Sequence, residues 1–370
     1  MKKVLLIGNG FDIAHGLPTQ YKEFIEFVRK FNMMYEINEG DSDFLIRNEK
    51  YMKDLITLFQ ANDKKSGDFI KQFRKYTVDN IWIRHFWNVM HDRGENWIDF
   101  EKEISTVVRK IESLYREQPD VNGVLESLDG FEEFKIDLEQ RISELGSSGI
   151  REIKYEEKGI DHYMEKLDEL IRAFELYLTF YVAEINIDKP NTDIASLNLG
   201  EEDSIISFNY TDTYNRVYVN NKVEDVHFIH GKADINNTID TNNMVIGIDE
   251  YLTEEEEKAD KNLKYLGFRK YFQRIVKGTD ASYKNIFKNV RNDDTIELYI
   301  FGHSLDVTDR DILKEIILNP NVKVTIFSKD KNAQKGQVNN LVKVLSSKDV
   351  IENTYSNEPK IKFKIQTAEG

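Results

Sequence analysis

A short apolar run, Lys3-Val4-Leu5-Leu6-Ile7, closes on glycine, and no comparable run returns until residue 204. An uninterrupted apolar stretch of this length reads as a β-strand buried on both faces. The later runs are SIISF (204–208), VHFIH (226–230), MVIGI (244–248), ELYIF (297–301) and VKVTIF (322–327). A final KIKFKI, residues 361–365 with Lys360 in front, alternates as an edge strand or β-ribbon does. From Tyr21 to about Ile187 the period changes to three and four. One stripe is Tyr21, Phe24, Ile25, Val28 and Phe31; another is Trp97, Phe100, Ile104, Val107, Val108 and Ile111; a third is Tyr163, Leu167, Leu170, Ile171, Phe174, Leu178 and Tyr181. The spacing predicts amphipathic helices packed on a common core. The chain therefore reads as an α/β fold with a mostly parallel sheet, helices on both faces, and a split: residues 1–20 and 196–370 form the α/β domain, and residues 21–195 form an α-helical insertion. In such sheets ligands bind beyond the carboxyl ends of the strands, so those ends carry the chemistry.

Composition narrows the classes. At 370 residues the chain suits two or three domains, or one domain with a large insertion. Its 51 basic and 66 acidic residues give −15, which argues against a nucleic-acid surface, because gripping phosphates by counterion release needs clustered Lys and Arg. There is no cysteine, so disulfides, thiolate nucleophiles and cysteine-based zinc modules are excluded. No apolar run reaches membrane-spanning length, and MKKVLLIGNG turns to glycine too early for a signal peptide, so a cytoplasmic protein without a membrane association is expected. The seven histidines show neither H-x₃-H nor H-E-x-x-H spacing, so no metal is expected.

Four strand ends hold unusual residues. The first is Gly8-Asn9-Gly10-Phe11-Asp12, followed by Gly16-Leu17-Pro18-Thr19. A glycine pair after a strand allows a tight turn and close approach to a ligand, and a helix N-terminus behind it favours a pyrophosphate. The dinucleotide fingerprint wants a third glycine where Ile13 stands, and Asp12 also reads as a helix cap. The second end is Ser207-Phe208-Asn209-Tyr210-Thr211-Asp212, and the third is His230-Gly231. An Asn and a His at two nearby strand ends can converge on one ligand, whereas His227 reads as a structural histidine. The fourth end is Phe301-Gly302-His303-Ser304-Leu305-Asp306, with Asp309 and Asp311 after it. Ser304 and Asp306 can cap the helix that follows or take the hydroxyls of a ribose. The carboxylates of Asp306, Asp309 and Asp311 read as a solvated helix start or a Mg²⁺ site.

In this order the segments resemble the sirtuin-type NAD-binding fold: a glycine loop ending in Gly16-Leu17-Pro18, an Asn at position 209, His230-Gly231, and Gly302-His303-Ser304-Leu305. They are more closely similar to the AbiH-type bacteriophage abortive-infection proteins. That pattern adds the GNGFD opening, an Asn96-Trp97-Ile98-Asp99-Phe100-Glu101 segment, F-N-Y-T, I-H-G and F-G-H-S-L-D. The resemblance implies a sirtuin-like, Rossmann-type sheet and a role in phage defence. It further implies NAD as substrate or ligand, cleaved at the nicotinamide–ribose bond, with Asn209 and His230 catalytic. The dinucleotide would be bound by Gly8, Asn9, Gly10, Phe11, Asp12, Gly16, Thr19, Gly231, Gly302, His303, Ser304 and Asp306. Thr19, Gln20 and Tyr21 stand where sirtuins have Asp-Phe-Arg, and the zinc ribbon is missing, which points to hydrolysis rather than deacylation. An unregulated NAD hydrolase would be toxic, so a phage-derived trigger and self-association are the expected partners. Trp97 and Glu101 share a helix face that either closes over the site or packs in the helical core.

Two other readings compete. Arg84-His85 followed by His91 has the loose form of the HEPN ribonuclease motif within a helical stretch. A non-catalytic sensor of NAD or ADP-ribose would use the same strand ends without turnover.

Overall fold

The computed structural model describes residues 2–36, 50–93, 100–117, 128–145, 158–187, 189–248, 263–279, 281–288 and 295–367. Asn96, Trp97, Ile98 and Asp99 lie outside the described residues. The sheet comprises β1 (Lys3–Ile7), β2 (Ser204–Ser207), β3 (Asp225–Phe228), β4 (Ile296–Phe301), β5 (Val322–Ser328) and β6 (Ile361–Ile365). Their order across the sheet is β3-β2-β1-β4-β5-β6, and every pairing is parallel. This is the doubly wound order, with its topological switch point between β1 and β4.

The strands form because alternate residues are apolar toward both faces. Val4 and Leu6 of β1 join Ile206, Leu298, Ile300, Val324 and Ile326 on one face. There they pack on Ile312, Leu313, Ile316 and Ile317 of α12 (Arg310–Leu318) and on Leu341 and Val344 of α13 (Lys331–Val344). Leu5 and Ile7 point the other way, with Ile205, Phe301 and Phe327 beside Phe11 of α1 (Asn9–Ala14) and Tyr214 of α10 (Thr213–Val217). Each such buried side chain contributes about 1.5–3 kcal/mol of transfer free energy, so the central strands are fixed in register by burial alone.

Between β1 and β2 the described elements are helical. They are α2 (Tyr21–Glu36), α3 (Met52–Gln60), α4 (Lys64–Thr77), α5 (Ile81–Arg93), α6 (Phe100–Glu117), α7 (Glu132–Leu145), α8 (Lys158–Leu176) and the short α9 (Thr192–Ala195). Their stripes meet in one aromatic core, in which Phe86 stacks on Phe100 with ring centroids 3.8 Å apart and Tyr21 stacks on the same ring at 4.2 Å. At its end α8 loosens into a π-helical turn, Tyr177–Tyr181, and Tyr177 donates to the Pro18 carbonyl at 2.8 Å. Single π turns are enriched near functional sites, and this one borders the cavity described below.

One expected strand is not a strand. MVIGI (244–248) makes only a single bridge, from Ile248 to Arg269. Its apolar residues Met244, Ile246 and Ile248 are buried in the helical core instead. Val245 N–H donates to the His230 carbonyl, and Ile248 N–H to the Phe268 carbonyl. A continuous apolar run signals burial on all sides, which an extended segment laid on helices satisfies as well as a strand does. The helical core thus takes in chain from beyond the insertion, including Tyr265 and Phe268. KIKFKI is a parallel edge strand on β5, not a ribbon.

The loops after β1 and β4 touch backbone to backbone. Gly8 N–H donates to the Phe301 carbonyl at 3.1 Å, and Gly10 N–H to the Gly302 carbonyl at 2.8 Å. Gly302 has φ +69°, and a Cβ there would lie 2.1 Å from the Phe11 nitrogen. Gly16 also has positive φ, +76°, but open space around it. Gly302→Ala is therefore expected to cost several-fold more than Gly16→Ala: more than about 3 kcal/mol against about 1 kcal/mol for the left-handed backbone alone. Urea unfolding of the two variants measures this, and equal losses would contradict the loop-contact account.

Candidate functional site

The carboxyl ends of β1, β2 and β4, the loop after β3 and the helical insertion enclose a cavity of about 530 Å³. That volume is within the range of small-molecule and cofactor sites. Its floor is Gly8, Gly10 and Gly302. Asp12, Phe208, Asn209, Thr211 and His230 form one wall, and His303, Ser304, Asp306, Thr308 and Asp309 form another. The insertion contributes Tyr21, Lys22, Glu101, Phe174 and Leu178.

Each polar side chain has a local reason for its place. Asn209 follows β2 in a turn that Ser207 holds: the Ser207 Oγ accepts from Asn209 N–H at 3.2 Å and donates to its carbonyl at 3.1 Å. His230 ends an extension of β3, where Ile229 N–H still bonds the Ser207 carbonyl. Gly231, at φ +82°, then turns the chain sharply against Asn243. After β4, Leu305 takes φ +59° while fully buried. Its N–H donates to His303 Nδ1 at 2.9 Å, which places the His303 proton on Nε2. Asp306 accepts from Thr308 N–H at 3.1 Å, capping a 3₁₀ turn (Val307–Asp309) that ends on Asp309.

Asp309 is the hub. Its Oδ1 lies 2.9 Å from His230 Nε2 and 3.2 Å from the Lys270 ammonium, and its Oδ2 lies 3.5 Å from His303 Nε2. Lys270, the first residue of α11 (Lys270–Lys277), also meets Glu101 of the insertion at 2.8 Å. Burial raises the Asp309 carboxyl, but Lys270 and His230 outweigh it and hold the group well below the usual range. Burial depresses Lys270, but Asp309 and Glu101 overcome it and keep the ammonium above its ordinary value. For His230, burial and then Lys270 push the imidazole down to about 4 against the pull of Asp309. His230 is therefore neutral at pH 7, with its Nε2–H on Asp309 and its Nδ1 without a partner.

Asp12 differs from Asp309. Its Oδ2 accepts from Thr211 at 2.5 Å and its Oδ1 has no partner. Burial lifts it to about 6, while Thr211, Thr213 and Asn209 pull it back. Both amide atoms of Asn209 are buried; the amide lies close enough to Asp12 to favour its carboxylate, yet neither it nor Asp12 Oδ1 makes a well-formed hydrogen bond. Unpartnered buried polar atoms cost about 1–3 kcal/mol each, and the four on this wall, Asp12 Oδ1, the two Asn209 amide atoms and His230 Nδ1, make the cavity the candidate site.

Most residues expected at the site line this cavity: Gly8, Asn9, Gly10, Asp12, Thr19, Asn209, His230, Gly302, His303, Ser304 and Asp306. Phe11, Gly16 and Gly231 do not. Phe11 is core beneath the loop, Gly16 makes an exposed turn, and Gly231 abuts Asn243. The amides of Gly8, Gly10 and Phe11 already donate to carbonyls, so these three N–H groups are not available to cradle a pyrophosphate. Asp309 is neither a solvated helix start nor part of a Mg²⁺ cluster, because it is buried on His230 and Lys270; Asp311 pairs with Arg274 at 2.8 Å. Among the described residues no group of three His, Asp or Glu side chains is placed to hold a metal. Arg84 is exposed and bonds Glu133, and His91 is exposed on the same helix; neither lines the cavity. His227 bonds Ser282 and also lies away from the cavity. Lys270 gives no sequence signal beyond being a cation in an aromatic stretch, Tyr265 to Phe272.

Fold and site together define a doubly wound α/β protein with a polar-lined cavity at its switch point. The chain matches the family model Bacteriophage abortive infection AbiH over residues 4–329, and it belongs to that family. Its function is accordingly bacteriophage abortive infection. No curated protein and no solved structure matches it. Among the described residues no helix is long and apolar enough to cross a membrane.

The raised Asp12 carboxyl sets a pH dependence of stability. The folded state holds this proton more tightly than the unfolded chain, so its contribution is complete below the unfolded value near 4 and is lost as pH rises through about 6. Asp12→Asn is thus expected to stabilise the protein by about 3 kcal/mol near pH 8, and by less than about 1 kcal/mol near pH 4. Urea midpoints at the two pH values test it; a gain independent of pH would contradict the assignment.

Proposed function

We propose that the protein acts in abortive infection by hydrolysing NAD at the nicotinamide–ribose bond, in a sirtuin-like cavity. The observation that supports this reading is the group of unpartnered polar atoms, Asp12 Oδ1, both amide atoms of Asn209 and His230 Nδ1, on residues of one cavity wall. The chemistry suits them. When the C1′–N bond breaks, nicotinamide leaves neutral with the bonding pair, so no general acid is needed. The reaction needs a base for the attacking water and an anion beside the developing positive charge on the ribose.

His230, neutral above about pH 4, takes the water proton on Nδ1 while its Nε2–H stays on Asp309. Asn209 accepts from and donates to the ribose hydroxyls and the water. Asp12, ionised above about pH 6, faces the positive charge. Ser304 and Asp306 hold the adenosine ribose. With the Gly8 and Gly10 amides committed, the Lys22 ammonium and the Ser304 hydroxyl are the donors for the pyrophosphate. Phe174 and Leu178 of the insertion limit water at the apolar side. The location beyond the strand ends and the soluble character expected of the chain fit a cytoplasmic enzyme. A phage-derived trigger and self-association would supply its control.

Nicotinamide release from NAD by the purified protein, alone and with phage lysate, tests the reading. Asn209→Ala and His230→Ala are each expected to lower the rate by at least about 100-fold, with circular dichroism unchanged. The rate should rise with pH through about 6 as Asp12 ionises. Undiminished release in both variants would overturn the residue roles. Tight NAD or ADP-ribose binding without turnover would make the protein a sensor.

A further inference from the structure

The cavity's base is held from behind by a chain of charges that crosses from the helical insertion into the α/β part. Glu101 opens α6, and its carboxylate lies 2.8 Å from the Lys270 ammonium. Lys270 lies 3.2 Å from Asp309 and 3.3 Å from the Thr308 hydroxyl, and Asp309 lies 2.9 Å from His230 Nε2. Lys270 is 1% exposed, too deep for a solubilising role, and a lysine this deep persists only where its charge is matched on more than one side. We propose that Lys270 is a positioning residue: clamped by Glu101 of the insertion, it anchors Asp309, and Asp309 in turn sets His230 with Nε2–H engaged and Nδ1 bare.

The geometry requires a cation at this point. Asp309 faces His230, His303 and Lys270. The Leu305 N–H on Nδ1 fixes His303 as an Nε2–H donor. Without Lys270 the Asp309 anion would face two imidazoles alone, and His230, the closer, would take a second proton and lose its lone pair. The other groups near His230 do not substitute. Arg274 is engaged by Asp311, Tyr210 donates to the Val245 carbonyl, Phe208 presents only its ring at 5.3 Å, and Glu101 carries the opposite charge. Lys270 thus does for the histidine what a second carboxylate partner could not: it satisfies Asp309 without surrendering a proton. Because Glu101 belongs to the insertion, the insertion helps build the base as well as roof the cavity.

The assignment of base work to His230 rests on the NAD reading; the coupling of Lys270 to His230 does not. Imidazole NMR titration of His230 separates the two. In the wild type it should stay neutral down to about pH 4, with the proton on Nε2. In Lys270→Met and Lys270→Gln its midpoint should rise by about one pH unit or more, and Lys270→Arg should restore it. If NAD is the substrate, the second ionisation on the acid limb of the pH–rate profile, the one below that of Asp12, should move with it, with kcat affected more than KM. An unmoved midpoint in a folded Met or Gln variant overturns the proposal. So does an Nδ1–H tautomer in the wild type, which needs no variant to fold. A raised midpoint in a protein that does not cleave NAD sinks the NAD reading and leaves the positioning role intact.

Discussion

The hydrogen bond from the Gly10 amide to the Gly302 carbonyl, 2.8 Å long, joins the loops of the first and fourth strands at the switch point of the sheet. Both sides need glycine. A Cβ on Gly10 would lie 2.8 Å from Gly302 Cα, and one on Gly302 would lie 2.1 Å from the Phe11 nitrogen. With the loops locked this closely, α1 is held at one angle and carries Asp12 to the cavity. The β4 loop continues through His303 and the left-handed Leu305 to Asp309. The two acidic residues whose environments differ most, one raised and one depressed, are thus placed by one backbone contact. The glycines serve the approach of chain to chain as much as the approach of chain to ligand.

The electrostatics follow from burial. A net charge of −15 works against collecting an anion at the surface, yet the cavity wall holds a lysine, two histidines and several carboxylates at low exposure. In that setting charges survive as an alternating chain, Glu101, Lys270, Asp309, ending on a neutral imidazole. Asp12 lies outside the chain, and its hydroxyl and amide neighbours, with the charge of Arg216, only partly offset its desolvation, so it holds its proton up to about pH 6. Pairs of titratable groups pushed in opposite directions within one cavity are more common at reacting sites than elsewhere, which supports the proposed reading. The depressed Asp309 and the raised Asp12 are such a pair.

The strand at residues 3–7 and its return after residue 204 were legible because burial on both faces leaves an unbroken apolar run. Asn209 and His230 could be singled out because strand ends are few and polar residues there stand out against apolar neighbours. MVIGI misled for the same reason: its apolar run is satisfied by helices. Asp309 was hidden among Asp306 and Asp311, since three carboxylates at a helix start look alike until one of them is buried. Lys270 and Glu101 lie about 170 residues apart, and a contact between two separate helices leaves no spacing to read. Only the fold brings together the cation and the carboxylate that set the histidine's state.

The claim at the centre is that the cavity between β1, β2 and β4 receives a dinucleotide with its reacting ribose at Asn209 and His230. A crystal structure with ADP-ribose tests it most directly. The account predicts the distal ribose hydroxyls within hydrogen-bond reach of the Asn209 amide and of His230 Nδ1, with the Lys270–Asp309–His230 chain unchanged behind them. ADP-ribose bound elsewhere on the protein, or in this cavity with its ribose turned away from both side chains, would contradict it.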